Sequence, residues 1–388
     1  MTMHTSPAID ALPRSGIREI MELADQIPDA IVLGAGEPNF ATPEHIRRAA
    51  AAAAEAGHTK YTPNLGIPAL RAVLVDKLRD RNGYAVTADR IIVTNGGVEA
   101  LFTSMTAILE PGDEILLPDP GWPNTTAMAH ILRATPIYFP LAAEHGFVPR
   151  IEDLEPLVTA KTRALLINSP SNPLGSVIDR SRMRELVAFA EARNLWLISD
   201  ECYDEIVFDD RFVSAAAVGN PERIFSVYTF SKTYAMTGWR VGYVAVPSIA
   251  APLVAKLQEP ITSCINAPAQ HAAIAAITGP QECVREMRDA YRDRRDGVAT
   301  RFARGGIGVH PAAGAFYAWA DISASGRSSR DFALALLRER QVAVAPGTAF
   351  GVRGEGYVRL SLATASDRLY EGVDRIVEFV QAHRPALA

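Results

Sequence analysis

The run Tyr228-Thr229-Phe230-Ser231-Lys232-Thr233-Tyr234-Ala235-Met236-Thr237-Gly238-Trp239-Arg240 places one lysine among hydroxyl side chains, with an arginine eight residues on. Upstream, Asp200 and Tyr203 follow the apolar run Leu195-Trp196-Leu197-Ile198-Ser199. A lysine amine forms a Schiff base with an aldehyde, and a buried carboxylate holds a heterocyclic nitrogen protonated. A guanidinium suits phosphate oxygens. Together these are the parts needed to hold pyridoxal phosphate. Gly96 and Gly97 pass from an apolar run, Arg90-Ile91-Ile92-Val93-Thr94, into a helical pattern, where free backbone N–H groups suit a phosphate. In Ser169-Pro170-Ser171-Asn172-Pro173-Leu174-Gly175, proline and glycine fix a tight turn that presents the Asn172 amide. Each residue alone has a plainer reading: a surface lysine in a turn, an aspartate capping a helix, a packed tyrosine, an Asn-Pro turn. Their combination and order favour the chemistry.

Carried on these motifs, the sequence resembles the aspartate-aminotransferase family of pyridoxal-phosphate enzymes (class I/II aminotransferases, fold type I), from about Leu33 to Ala363. The resemblance implies a Schiff base on Lys232, Asp200 paired with the pyridine nitrogen, and Tyr203 and Asn172 hydrogen-bonded to the ring's phenolic oxygen. It implies a phosphate cup made of Gly96, Gly97, Val98, Thr229, Ser231 and Arg240. Trp122, in Asp119-Pro120-Gly121-Trp122, matches the aromatic that stacks on the ring. Arg359, in Val358-Arg359-Leu360-Ser361, matches the arginine that grips the substrate carboxylate, with Gly36 bringing backbone close to it and Trp122 and Asn172 alongside. Pro346-Gly347-Thr348-Ala349-Phe350-Gly351 resembles a further pocket loop. Tyr61 matches a tyrosine that reaches the phosphate of the neighbouring subunit, which implies a homodimer with shared active sites.

The reaction so implied moves an amino group from an L-amino acid to a 2-oxo acid by a ping-pong route. Acid-specific relatives carry a basic residue in the glycine-rich turn or an arginine in the segment matching Ile261-Thr262-Ser263-Cys264-Ile265-Asn266. Here Val98 is uncharged and that segment holds no arginine, so the resemblance implies a neutral or apolar donor. Arg18 stays open as a residue that reaches the pocket. The same constellation also serves relatives that act as β-lyases, synthases or oxidases, so those remain alternatives. A transcription regulator on this fold carries an added DNA-binding module. Only about 30 residues precede Leu33, so that reading is set aside as an expectation.

These residues need strands and helices to bring them together. Short apolar runs at Arg90–Thr94, Glu114–Leu117, Thr162–Asn168, Leu195–Ser199, Ile224–Tyr228 and Val241–Val246 alternate with helical stretches near 98–110, 123–133, 180–193 and 248–258. The alternation predicts an α/β layer with a mostly parallel sheet flanked by helices. Ligands of such sheets sit beyond the carboxyl ends of the strands, where the polar motifs fall. Further strands are expected at Gly314–Tyr317, Gln341–Val344 and Tyr357–Ser361, and a helix from Arg368 to His383, giving a smaller α/β domain. The expected division is a large domain over 45–290 and a discontinuous small one from 1–44 and 291–388.

With 388 residues, 48% of them hydrophobic, the chain can fill two cores. A net charge of −5 without a basic block excludes an electrostatic footprint for nucleic acid. No apolar run approaches a membrane span, and Met1–Asp10 contains no apolar leader core. Cys202, Cys264 and Cys283 show no metal spacing and suit a reducing cytoplasm. The charged run Arg285–Arg304 alternates sign at helical spacing and reads as a solvated helix face.

Overall fold

Six of the expected apolar runs do pair in one sheet. The computed structural model describes residues 5–10, 12, 14–209 and 212–383; part of the leader expectation, residues 1–4, lies outside them. The strands are β1 (Ile31–Val32), β2 (Ile91–Thr94), β3 (Glu114–Asp119), β4 (Thr135–Pro140), β5 (Thr162–Asn168), β6 (Trp196–Asp200), β7 (Ile224–Thr229), β8 (Gly242–Ala245), β9 (Tyr317–Asp321), β10 (Val342–Ala343), β11 (Ala345–Pro346) and β12 (Tyr357–Ser361). The large sheet has the order β2-β8-β7-β6-β5-β3-β4. Strands β3 to β7 run parallel, and β8 alone is antiparallel to its neighbours β7 and β2. The central strands are buried on both faces, as parallel strands covered by helices must be.

Strand β4 was not anticipated. Pro136 and Pro140 break its apolar pattern, and proline is tolerated there because β4 is an edge strand. The stretch expected as a strand from Gly314 begins instead at Tyr317, because Ala315 adopts a positive φ of 55° in a turn. The strand expected from Gln341 begins at Val342, since Gln341 is the left-handed cap of the helix Ser329–Arg340. The helix expected over 248–258 runs Ala251–Thr262.

A second, three-stranded antiparallel sheet has the order β11-β12-β9. The helix Ser329–Arg340 packs with it, the long helix Glu282–Gly305 meets β9 and packs along Ser366–Ala382, and Ser366–Ala382 packs on β1 and β10. β1 pairs in parallel with β10, so the N-terminal segment lies with the C-terminal part of the chain. The charged helix departs from expectation at one residue. Arg285, Arg292 and Arg295 make near-neighbour ion pairs at the surface, but Arg294 is 6% exposed.

Candidate active site

The carboxyl ends of β5, β6 and β7 finish side by side. Asn168 at the end of β5 is in register with Asp200 at the end of β6, and Thr229 ends β7 just before the one-turn helix Phe230–Thr233 that carries Lys232. The helix Gly96–Ile108 begins at the same edge. Between these ends and β12 lies a cavity of about 300 Å³. Gly36, Gly97, Val98, Trp122, Asn172, Asp200, Tyr203, Thr229, Ser231, Lys232, Arg240 and Arg359 all line it. Close approach explains the glycines. A Cβ on Gly97 would stand 2.7 Å from Cys202 Sγ, and one on Gly36 would stand 2.8 Å from the Tyr317 hydroxyl.

Lys232 is part-buried, and its Nζ donates to the Gly36 carbonyl at 2.6 Å. Burial, with the positive charges of Arg359 and Arg240 acting in the same direction, pushes its pKa down to about 8. That makes the amine a competent nucleophile and proton carrier near neutral pH. The Asp200 carboxylate is buried and accepts the Cys202 N–H at 3.2 Å. Burial pushes its pKa up, while the Cys202 hydrogen bonds and the charge on Lys232 oppose that. A cationic N–H placed against it would restore its ionised form.

Tyr203 shares a hydrogen bond of 2.8 Å with Tyr317, and burial raises its pKa well above the usual phenol value. Asn172 accepts from Arg359 Nη1 at 2.9 Å, which leaves its amide N–H₂ as a donor. Arg359 also donates to the Gly34 carbonyl at 2.6 Å and lies 4.4 Å over the Tyr317 ring. Its Nε is buried without a partner among the described residues. A buried cation held only by carbonyl and amide oxygens is a ready receptor for a carboxylate.

Around Arg240 the donors converge. Its guanidinium donates to the carbonyls of Thr237 at 2.8 Å and Asn95 at 3.1 Å, and a Cβ on Gly96 would sit 2.6 Å from Nη2. Thr229 Oγ1 accepts the Ser231 N–H at 3.2 Å and donates to Ser231 Oγ at 3.0 Å. With the start of the helix at Gly96–Gly97 these groups form an anion cradle. A phosphate-accepting cradle, an amine and a buried carboxylate are the donor set that pyridoxal phosphate requires, so the residues present fit it.

Four positions named from the sequence stand outside the lining of this cavity. Tyr61, expected to reach the phosphate of a neighbouring subunit, is 91% exposed beside Cys264–Pro268 and outside this cavity. Gly96 stands behind the lining, against Arg240. The loop Pro346–Gly351 does not line the cavity either; its Phe350 packs 4.8 Å from the Arg359 guanidinium. Arg18 is likewise absent from the lining, where Ile17 stands instead. The sequence reading missed Asn168, Cys202 and Tyr317. Asn168 had a usable signal, since it ends β5 as Asp200 ends β6.

Residues 28–376 match the family described as aminotransferase class I and II. The chain is 37% identical to the aspartate aminotransferase of Pyrococcus horikoshii over 96% of both chains. Among solved structures, it resembles the aspartate aminotransferase of Thermus thermophilus with maleate at 36% identity and a TM-score of 0.93, covering 97% of this chain and 100% of that one. It resembles the aromatic aminotransferase of Pyrococcus horikoshii at 37% identity and a TM-score of 0.89, covering 94% and 99%.

Proposed function

The chain belongs to the class I and II aminotransferases, pyridoxal-phosphate enzymes, and from that premise we propose that the cavity around Lys232 is its active site and that its amino donor carries a neutral or apolar side chain. The observation that carries the first part is the convergence of Lys232, Asp200, Tyr203, Asn172, Arg240 and Arg359 on one cavity. Pyridoxal phosphate, when bound, supplies an aldehyde and a ring that takes up the electron pair left when the substrate α-carbon loses its proton. Arg240, Thr229, Ser231 and the N–H groups of Gly97 and Val98 would hold the phosphate. Asp200 would keep the ring nitrogen protonated, and Tyr203 and Asn172 would hydrogen-bond the phenolic oxygen. Arg359 orients the substrate carboxylate. Lys232 Nζ, with its lowered pKa, takes the α-proton and returns it, as base and then acid.

Support for the donor class comes from Ile17, Val98 and Leu101 in the lining, where a second carboxylate would need a cation. Aspartate is the competing donor, favoured by the names of the relatives. The test is spectroscopic. Pyridoxal phosphate added to the purified protein is expected to give the visible band of the lysine-bound cofactor. Leucine or phenylalanine should discharge that band faster than aspartate, and a 2-oxo acid should restore it. Faster discharge by aspartate sinks the donor assignment, and no band at all sinks Lys232.

Exposed Tyr61 supports a homodimer in which it reaches the partner's phosphate, so Tyr61→Phe should weaken cofactor binding in the dimer. The pairing of β1 with β10 supports reading 1–44 and 291–388 as one small domain beside 45–290. The three cysteines are unpaired, which fits a cytoplasmic location. No described helix is long and apolar enough to cross a membrane.

A further inference from the structure

Arg294 differs from the arginines around it on the helix Glu282–Gly305. Its guanidinium is buried and, among the described residues, none of its hydrogen-bond partners is a carboxylate. Nη1 donates to Asn39 Oδ1 at 2.9 Å and to the Leu362 carbonyl at 3.0 Å, and Nε donates to Ser366 Oγ at 3.2 Å. The group also lies 5.3 Å from the Phe40 ring and 5.8 Å from the Tyr291 ring. Burying a charge without a counter-ion is expensive, so this arrangement calls for a reason beyond helix packing.

The reason lies in what the two Nη1 bonds join. Asn39 belongs to the segment Gly34–Phe40, whose Gly34 carbonyl accepts from Arg359 Nη2. Leu362 follows β12, the strand that carries Arg359 itself. One guanidinium therefore clamps the strand bearing Arg359 to the segment that holds Arg359's outer nitrogen. A second route runs through rings. Tyr291 packs on Phe316 at 5.2 Å, Phe316 on Tyr317 at 4.9 Å, and Arg359 lies over Tyr317. Arg294 does not line the cavity.

We infer that Arg294 is a positioning residue for carboxylate recognition: it fixes Arg359 through Asn39, Leu362 and the Tyr291–Phe316–Tyr317 stack. The inference rests on the reading of Arg359 as the carboxylate receptor. The test uses the holoenzyme and 3-phenylpropionate, an unreactive carboxylate, whose binding is followed by its effect on the cofactor spectrum. Arg294→Gln is expected to weaken 3-phenylpropionate about tenfold and to raise the substrate KM by a similar factor. kcat and the affinity for pyridoxal phosphate should stay within about threefold. Arg294→Lys should recover part of the loss. In an Arg359→Lys background the Arg294→Gln change should have no further effect on 3-phenylpropionate, because two residues acting through one contact are not additive. Unchanged 3-phenylpropionate binding, additive effects, or an equal fall in cofactor affinity would each overturn the inference. If Arg294→Gln does not fold, Asn39→Ala carries the same test with an expected loss of about threefold. If Arg359→Lys alone leaves 3-phenylpropionate binding intact, the Arg359 reading fails first and this inference falls with it.

Discussion

Asp200 and Glu201 are neighbours in sequence and both are buried, yet they face opposite surroundings. Asp200 opens on the cavity, where Cys202 is its hydrogen-bond donor among the described residues. Glu201 turns to the other side of the sheet and is fully occupied. Its carboxylate accepts from Ser199 Oγ at 2.9 Å, Ser214 Oγ at 3.0 Å, the Ala215 N–H at 3.0 Å and the Tyr228 hydroxyl at 2.8 Å. Tyr228 in turn meets Tyr84 at 3.1 Å, and the Lys77 ammonium, paired with Asp204, lies 4.8 Å from its ring. On one side a buried carboxylate has four donors and ties β6 to β7. The other holds charged groups whose hydrogen bonding is incomplete. A buried charge short of partners costs more than a neutral hydroxyl, so the side whose charged groups are short of them is the one a ligand completes.

The sharpest way to break this comparison is to remove groups from each side and compare activity with stability. Lys232→Ala should lower kcat by roughly 10⁴-fold or more, since nucleophile and proton carrier are lost together. The cofactor-free protein should keep or raise its Tm, because a poorly solvated amine is removed. Asp200→Asn should lower kcat by about 10²–10³-fold, the scale of a single preorganised electrostatic group, again without a fall in Tm. A large drop in Tm for either variant would mean that the cavity side is structural after all.

Glu201→Ala should do the reverse. It strands three buried hydroxyls and a backbone N–H, at a cost of about 4 kcal/mol in unfolding free energy by denaturant titration. The kcat of the protein that remains folded should change by less than about threefold. A 100-fold loss of kcat at unchanged stability would put Glu201 on the functional side and erase the contrast.

Legibility in the sequence followed the same divide between local and long-range information. Lys232, Asp200 and Asn172 sit in short motifs at or just beyond strand ends, and apolar runs marked those strands. Tyr317 could not be found that way. It faces the site because a turn at Ala315 redirects the chain, and its partner Tyr203 is far off in sequence. Arg294 was hidden by composition. A run rich in Arg, Asp and Glu reads as solvated, although Val284, Met287, Tyr291, Arg294, Val298 and Phe302 recur at helical spacing on one buried stripe. Tyr61 shows the limit of a single chain: its expected contact belongs to another copy, so neither sequence nor fold completes it. Strand β4 was lost to its two prolines, which an edge position accommodates.

The smallest effect expected is also the one that separates the two sides most cleanly, because pH should move them in opposite directions. Lys232 has its folded-state pKa pushed down to about 8 from 10.5. Between those values the unfolded chain holds the extra proton, so stability from this group rises with pH and is lost as pH falls through 8. Burial pushes Glu201 up to about 7 from 4.5, against the pull of its four donors. Here the folded chain holds the extra proton, so its contribution is complete below 4.5 and disappears as pH rises through 7. Each displacement corresponds to roughly 3 kcal/mol at most. In cofactor-free protein, the Tm of wild type relative to Lys232→Met should therefore climb from pH 8 to 10.5. The Tm of wild type relative to Glu201→Gln should fall from pH 4.5 to 7. Saturation with pyridoxal phosphate should flatten the first slope, because the amine is then engaged, and leave the second unchanged. Slopes of the same sign, or a Glu201 slope that responds to the cofactor, would show that the two faces of β6 and β7 are one coupled network rather than a site and its support.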